Sequence, residues 1–187
     1  AAIYREAPLV HPSVTFRRDL VRGLGGYRDG DFPEDYDLWL RLHRAGQRLA
    51  RLERLVLEWR VGPGSLSRRD GRYRREAFDR LRAAYLAQDP RLGTGRPLVF
   101  WGAGRVTRRR SRLLEGYGHH PLAYVHIDPL KVGNRIHGVP VVPPRWLERE
   151  PRPLVLIYVA SHGAPEAAAA ALEAMGYRTG ADFLVVG

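Results

Sequence analysis

The stretch G-D-F-P-E-D-Y-D-L-W-L-R-L, residues 30–42, decides how this chain is read. Pro33 fixes its own φ and disfavours helix at Phe32, so the backbone arrives extended or turning. Glu34, Asp35 and Asp37 then fall in the first turn of an expected helix, where carboxylates suit the positive end of the dipole. Leu38, Trp39 and Leu42 follow at helical spacing and make an apolar face. Two adjacent carboxylates therefore stand at the mouth of a helix anchored by a Trp and two Leu. That arrangement can hold a general base rigidly. Acidic residues at a helix start also act simply as caps, and the pattern by itself leaves both readings open.

The flanking sequence bears on the choice. Upstream stands H-P-S-V-T-F-R-R-D-L-V-R-G-L-G-G-Y-R, residues 11–28, and downstream L-E-W-R-V-G-P-G-S-L-S, residues 57–67. In this order the three blocks resemble the C-terminal half of the catalytic domain of family 2 glycosyltransferases, over roughly residues 8–68. The resemblance implies an α/β fold: a partial GT-A-type domain that moves a sugar from a nucleotide-diphosphate sugar to an acceptor hydroxyl with inversion. It implies Asp35 as general base, with Glu34 beside it hydrogen-bonding or orienting. Two neighbouring carboxylates raise each other's proton affinity, which helps a base work near neutral pH.

Other positions follow from the same resemblance. His11 falls near the family's cleft, although a His before Pro also reads as structural. Arg60 and Arg41 are candidates to neutralise the leaving diphosphate, and each reads equally as a surface or fold-stabilising arginine. Ser65, with Ser67, is a candidate phosphate donor or ordinary turn chemistry. The family usually carries a His where this chain has Gly62. A divalent metal, Mg²⁺ or Mn²⁺, is implied for the complete enzyme. Asp29 and Asp31 spell D-x-D, as do Asp35 and Asp37, but the first pair sits in a polar turn and the second in a helix. The family's metal motif ends a strand in the N-terminal half, so no metal ligand is expected here. The opening A-A-I-Y-R-E-A reads as mid-sequence, and these 187 residues alone are expected not to turn over. The implied partners are the nucleotide-sugar donor and a polysaccharide, lipid-carrier or protein acceptor. The implied location is cytoplasmic, with peripheral association at the inner membrane face.

Composition sets outer bounds. A hydrophobic content of 44% supports packed cores. Net charge is +11, nearly all of it arginine, since Lys131 is the only lysine. Such a surface attracts phosphates or anionic membrane, but no interleaving of basic and aromatic residues marks a specific nucleic-acid binder. The absence of cysteine excludes disulfides and thiol catalysis. No apolar run approaches the ~20 residues that span a bilayer.

Along the chain, residues 1–12 are expected to be extended, 13–16 a short strand and 19–24 a short helix stopped by Gly25-Gly26. Residues 49–61 carry two strand-like pieces with Leu52, Leu55, Val56, Leu57 and Trp59 as candidate buried positions. Residues 61–65 read as a tight loop and 68–88 as a basic amphipathic helix with Ala77, Phe78, Leu81, Ala84 and Tyr85 on its apolar side. Two Pro and two Gly in 89–97 mark a boundary. The expected organisation is a catalytic-domain part over 1–90, a linker over 91–97 and a second domain over 98–187.

That second domain alternates strands with helices and resembles a small Rossmann-type parallel-sheet unit. Strands are expected at 98–101, 122–127, 154–160 and 183–186, with helices from about 105 to 115 and 166 to 175. Gly102 and Gly104 would let backbone approach a phosphate at the helix start, and Asp128, ending the second strand, stands where an acidic residue holds a ribose hydroxyl. The third small position of that fingerprint is Thr107. The stretch G-N-R-I-H-G-V-P-V-V, residues 133–142, resembles the N-terminal domains of sugar acyltransferases. A nucleotide or nucleotide-sugar binding module and a degenerate scaffold both remain open for this half.

Overall fold

In a computed structural model the described residues are 2–60, 62 and 64–187. The chain divides into two compact units, one of Glu6–Arg82 and one of Ala1–Arg5 with Ala83–Gly187.

The smaller unit is built on helices. Helix α1, Arg18–Gly23, ends where expected: the Gly26 N–H donates to the Val21 carbonyl and the Gly25 N–H to that of Arg22, both glycines having positive φ. Helix α2, Glu34–Arg44, starts after Pro33 at φ −65° and ψ 114°. Its central residues, Tyr36 to Leu42, are buried without a break, including Asp37 and Arg41. The helix is therefore enclosed all round rather than along one apolar stripe. The expected basic helix is interrupted. A short α3, Leu66–Arg69, is followed by Asp70, whose carboxylate accepts from the Arg72 N–H at 2.9 Å and turns the chain through Gly71–Tyr73. Helix α4, Arg75–Leu86, then resumes, with Ala77, Leu81 and Tyr85 buried as expected and Phe78 and Ala84 partly so. Phe78 packs on Tyr36 with ring centroids 5.7 Å apart, and Arg82 donates to Asp79 at 3.2 Å.

Three local expectations fail. Residues 2–4 and 11–13 form single 3₁₀ turns rather than extended chain, the second opened by Pro12. No strand forms at 13–16, nor among the described residues of 49–61; Val61 itself, with Pro63, lies outside them. Leu52, Leu55, Val56 and Trp59 are exposed, Leu55 by 80%. A strand is stabilised by its ladder and cross-strand neighbours, and this segment has none among the described residues.

The larger unit is α/β, with a six-stranded sheet in the order β3-β4-β2-β1-β5-β6. The strands are β1 Leu98–Trp101, β2 Ala123–Val125, β3 Arg135–Ile136, β4 Val139–Val142, β5 Leu154–Ile157 and β6 Phe183–Val185. All neighbours are parallel except the β3–β4 hairpin. Helices α5, Arg105–Glu115, and α6, Ala164–Ala174, complete it. Strands β1 and β5 are buried along their whole length, as continuous apolar runs in a sheet covered on both faces. Val99, Val155, Ile157, Leu172 and Phe183 are at most 1% exposed and centre the core. No helix among the described residues is long and apolar enough to cross a membrane.

Candidate active site at the start of the Glu34 helix

Three of the residues singled out in the sequence come together at the start of α2. Pro33 occupies the N-cap and no side chain caps the helix. Asp35 Oδ1 accepts from the adjacent Tyr36 N–H at 2.7 Å. Glu34 takes a different partner: the Tyr73 hydroxyl lies 2.7 Å from Oε1 and 2.8 Å from Oε2. On the same helix face as Asp35, four residues on, stands Trp39, fully buried. The His11 ring meets the Trp39 indole edge-on at 6.2 Å, and its Nε2 is 2.8 Å from the Tyr27 hydroxyl. His11 and Tyr27 thus form a hydrogen-bonded pair above a wall made by Trp39, beside the two carboxylates.

The electrostatics separate the members of this group. Burial pushes the Asp35 carboxyl above the usual aspartate range; the Tyr36 N–H pulls the other way, the Glu34 charge adds to the rise and His11 opposes it. Burial also raises the Tyr27 phenol, helped by the charges of Asp35 and Glu34. The Tyr73 phenol is raised furthest, by burial and then by its bond to Glu34. Both tyrosines therefore remain protonated donors at neutral pH. A half-buried carboxylate of raised proton affinity, one oxygen of which has no hydrogen bond among the described residues, is suited to accept a proton from a hydroxyl placed against it.

Arg41 and Asp37 fix this site from behind. Arg41 Nε donates to Asp37 at 2.8 Å, and its two terminal nitrogens donate to the Leu24 and Gly26 carbonyls at 2.8 and 2.7 Å. One buried guanidinium therefore ties α2 to the turn that delivers Tyr27. Of the two readings open for Arg41, the structure places it in the fold-stabilising role. Tyr27, Trp39 and Tyr73 were not singled out as site residues: Tyr27 sat inside the G-G-Y block, Trp39 read as core, and Tyr73 carried no local signal.

The remaining candidates lie apart from that cluster. Arg60 is exposed. Ser65 accepts from the Gly62 N–H at 3.1 Å, closing the turn predicted over 61–65, of which Val61 and Pro63 lie outside the described residues. Among the described residues no hydrogen bond or ion pair joins Arg60 or Ser65 to Glu34 or Asp35. No group of three or more His, Asp or Glu among the described residues could hold a metal ion. Asp29 instead accepts from the Gly30 N–H and lies 3.6 Å from Arg72. The donor set of the described residues does not fit a divalent metal.

In the larger unit, the Gly102 N–H donates to the Val125 carbonyl at 2.8 Å and φ is +121°, a conformation that favours glycine. A Cβ there would lie 2.7 Å from Thr107 Oγ1 and 3.0 Å from Val159 Cγ1. Thr107 thus packs directly on Gly102, as the third fingerprint position does. Gly104 caps α5, and nothing lies within 4 Å of where its Cβ would stand. Asp128 closes its own turn by accepting from the Leu130 N–H at 3.0 Å, with Lys131 at 3.8 Å. All three lie at the carboxyl edge of β1 and β2.

No family model matches the chain. It is 36% identical over 64 residues to the amylovoran biosynthesis glycosyltransferase AmsE of Erwinia amylovora, which is 34% of this chain and 24% of that protein. It is 37% identical over 67 residues to an uncharacterized glycosyltransferase of Haemophilus influenzae, 36% of this chain and 24% of that protein. The chain spans about a quarter of the length of the curated relatives it matches. Over about a third of its own length, then, this chain is similar to glycosyltransferases.

Proposed function

We propose that this chain carries the acceptor-activating part of an inverting, family 2, GT-A-type glycosyltransferase. The observation that carries the reading is Asp35: a half-buried carboxylate of raised proton affinity, beside a second carboxylate, at the start of a helix buried on all sides. The glycosyltransferase relatives support the reaction class. In the reaction, an acceptor hydroxyl oxygen attacks the anomeric carbon of the donor. Its proton passes to Asp35, the new glycosidic C–O bond forms, and the bond to the diphosphate breaks with its electron pair leaving on the phosphate oxygen. Glu34, held by Tyr73, stands beside Asp35, and the His11–Tyr27 pair offers hydrogen bonds to the acceptor. With one relative belonging to amylovoran biosynthesis, we read the acceptor as a polysaccharide, glycosylated from a nucleotide-sugar donor at the cytoplasmic membrane face. The test is Asp35→Asn in a protein that contains this chain and is competent for transfer. Transfer should fall by at least a hundredfold, the lower range for a lost general base, while donor affinity stays unchanged. Retained transfer would refute the assignment.

A second reading concerns the sheet unit. Strand β1 has β2 on one side and β5 on the other, so the strand order reverses at β1. Crevices at such switch points take ligands in open α/β sheets. On this reading Gly102, Gly104 and Asp128 face a nucleotide. Equilibrium dialysis with uridine and adenosine diphosphates, against an Asp128→Ala variant, tests it; no binding by the intact chain would set it aside.

A further inference from the structure

The two carboxylates at the start of α2 are neighbours in sequence and chemically alike, and nothing in their identity says which one takes the proton. We propose that Tyr73 is a positioning residue that sorts them, holding Glu34 in a fixed hydrogen bond and leaving Asp35 free as the base. This deepens, and rests on, the reading of Asp35 as general base.

The geometry is asymmetric. Both Glu34 oxygens lie within 2.8 Å of the Tyr73 hydroxyl. Among the described residues, Asp35 has one hydrogen bond, to the adjacent backbone N–H, and its Oδ2 has none. A phenol donating to a carboxylate makes a charge-assisted bond, shorter and stronger than a neutral one. Such a bond favours the ionised form of its acceptor. Tyr73 is itself held in place. It ends the 3₁₀ turn Gly71–Tyr73, capped by Asp70, and Arg72 locks that cap with two bonds to Asp70 Oδ2 at 2.9 and 2.7 Å. Arg72 also reaches Asp29 at 3.6 Å. The clamp thus arrives on a rigid turn 39 residues away in sequence.

The consequence is a division of labour. The Glu34 charge adds to burial in raising the proton affinity of Asp35. The charged and titratable groups acting on the pair are His11, Tyr27, Tyr73 and Arg72. Of these, Tyr73 alone donates a hydrogen bond to one carboxylate and not the other. Without it, Glu34 loses the hydrogen bond that sets it apart from Asp35.

The test is carboxylate ¹³C titration of the 187-residue chain, intact and as Tyr73→Phe, with Tyr27→Phe as control. The Glu34 midpoint should move up in Tyr73→Phe and stay in place in Tyr27→Phe. An unchanged or lowered Glu34 midpoint in Tyr73→Phe overturns the proposal. Should Tyr73→Phe not fold, Glu34→Gln serves: its amide oxygen keeps the Tyr73 bond but lacks charge, so the Asp35 midpoint should fall, and an unmoved one overturns the proposal. In a transfer-competent protein, Tyr73→Phe should lower kcat on the order of tenfold to a hundredfold, the scale of a misplaced reacting group, with little change in acceptor KM. The two readings fail separately. Transfer that survives Asp35→Asn refutes the base assignment without touching the Glu34 titration, and an unmoved Glu34 midpoint refutes the sorting without touching Asp35.

Discussion

Arg41→Met should unfold or nearly unfold the helical unit, and the size of the effect follows from what the side chain touches. Arg41 is 7% exposed and Asp37 2%. Removing the guanidinium breaks the buried Arg41–Asp37 ion pair, a loss of about 3–5 kcal/mol. The Leu24 and Gly26 carbonyls lose their donors as well. Each is only partly buried and can regain water, so they add roughly 1 kcal/mol together, the low end for an unmet acceptor. The sum, about 4–6 kcal/mol, approaches the whole stability of many domains. Asp37→Asn should cost less, about 1–3 kcal/mol, because an amide oxygen still accepts from Nε and both carbonyl bonds survive. The double variant Asp37→Leu, Arg41→Met should recover at least 1 kcal/mol relative to Arg41→Met, since the buried ion pair is then replaced whole by apolar groups. Hydrogen exchange at the α2 amides reads this unit by itself. A loss of 4 kcal/mol speeds exchange by about three orders of magnitude. An Arg41→Met protein within 1 kcal/mol of the parent, or a double variant no better than the single, would refute the reasoning.

Three further outcomes are expected. Asp35→Asn should raise stability at neutral pH. The folded Asp35 pKa lies above its unfolded value, so its contribution to stability is present below the unfolded pKa and lost as pH rises through the folded one; thermal melts should show the variant's advantage near pH 7 and none under acid conditions. Gly102→Ala should cost about 1–3 kcal/mol, from φ at +121° and the 2.7 Å approach of Thr107 Oγ1, as read by urea unfolding of the sheet unit. Leu55→Ser and Trp59→Ser should each change the stability of this chain by no more than about 0.5 kcal/mol, because both side chains are exposed. A loss of several kcal/mol at either would mean that they are buried in solution.

The parts of the fold that were legible are those whose signal is local. Pro33 followed by three carboxylates and an apolar run marks α2 because a fixed φ, the dipole and helical spacing all agree there. The apolar runs at 98–101 and 154–157 read as strands because a sheet buried on both faces takes continuous hydrophobes. The β3–β4 hairpin was not legible as strands. Its turn is His137-Gly138, with His137 at φ +48°, not an Asn-Gly, and Pro140 argues against a strand. Leu52 to Trp59 misled for the opposite reason: the composition suits a strand, but composition supplies no partner. At the site, the carboxylates and His11 were visible as motif residues. Tyr73 was not, because its contact with Glu34 spans 39 residues and no periodicity encodes it. Arg41 was visible but undecided until its three acceptors and its burial placed it inside the fold.

The central claim is that Asp35 takes the acceptor's proton. It is tested most directly by comparing two titrations of the same protein: the ¹³C midpoint of the Asp35 carboxylate and the acid limb of kcat/KM for sugar transfer. The two should coincide, above the ordinary aspartate range, and Glu34→Gln should lower both together. An acid limb that stays in place while the Asp35 midpoint moves would assign the proton to another group and contradict the account.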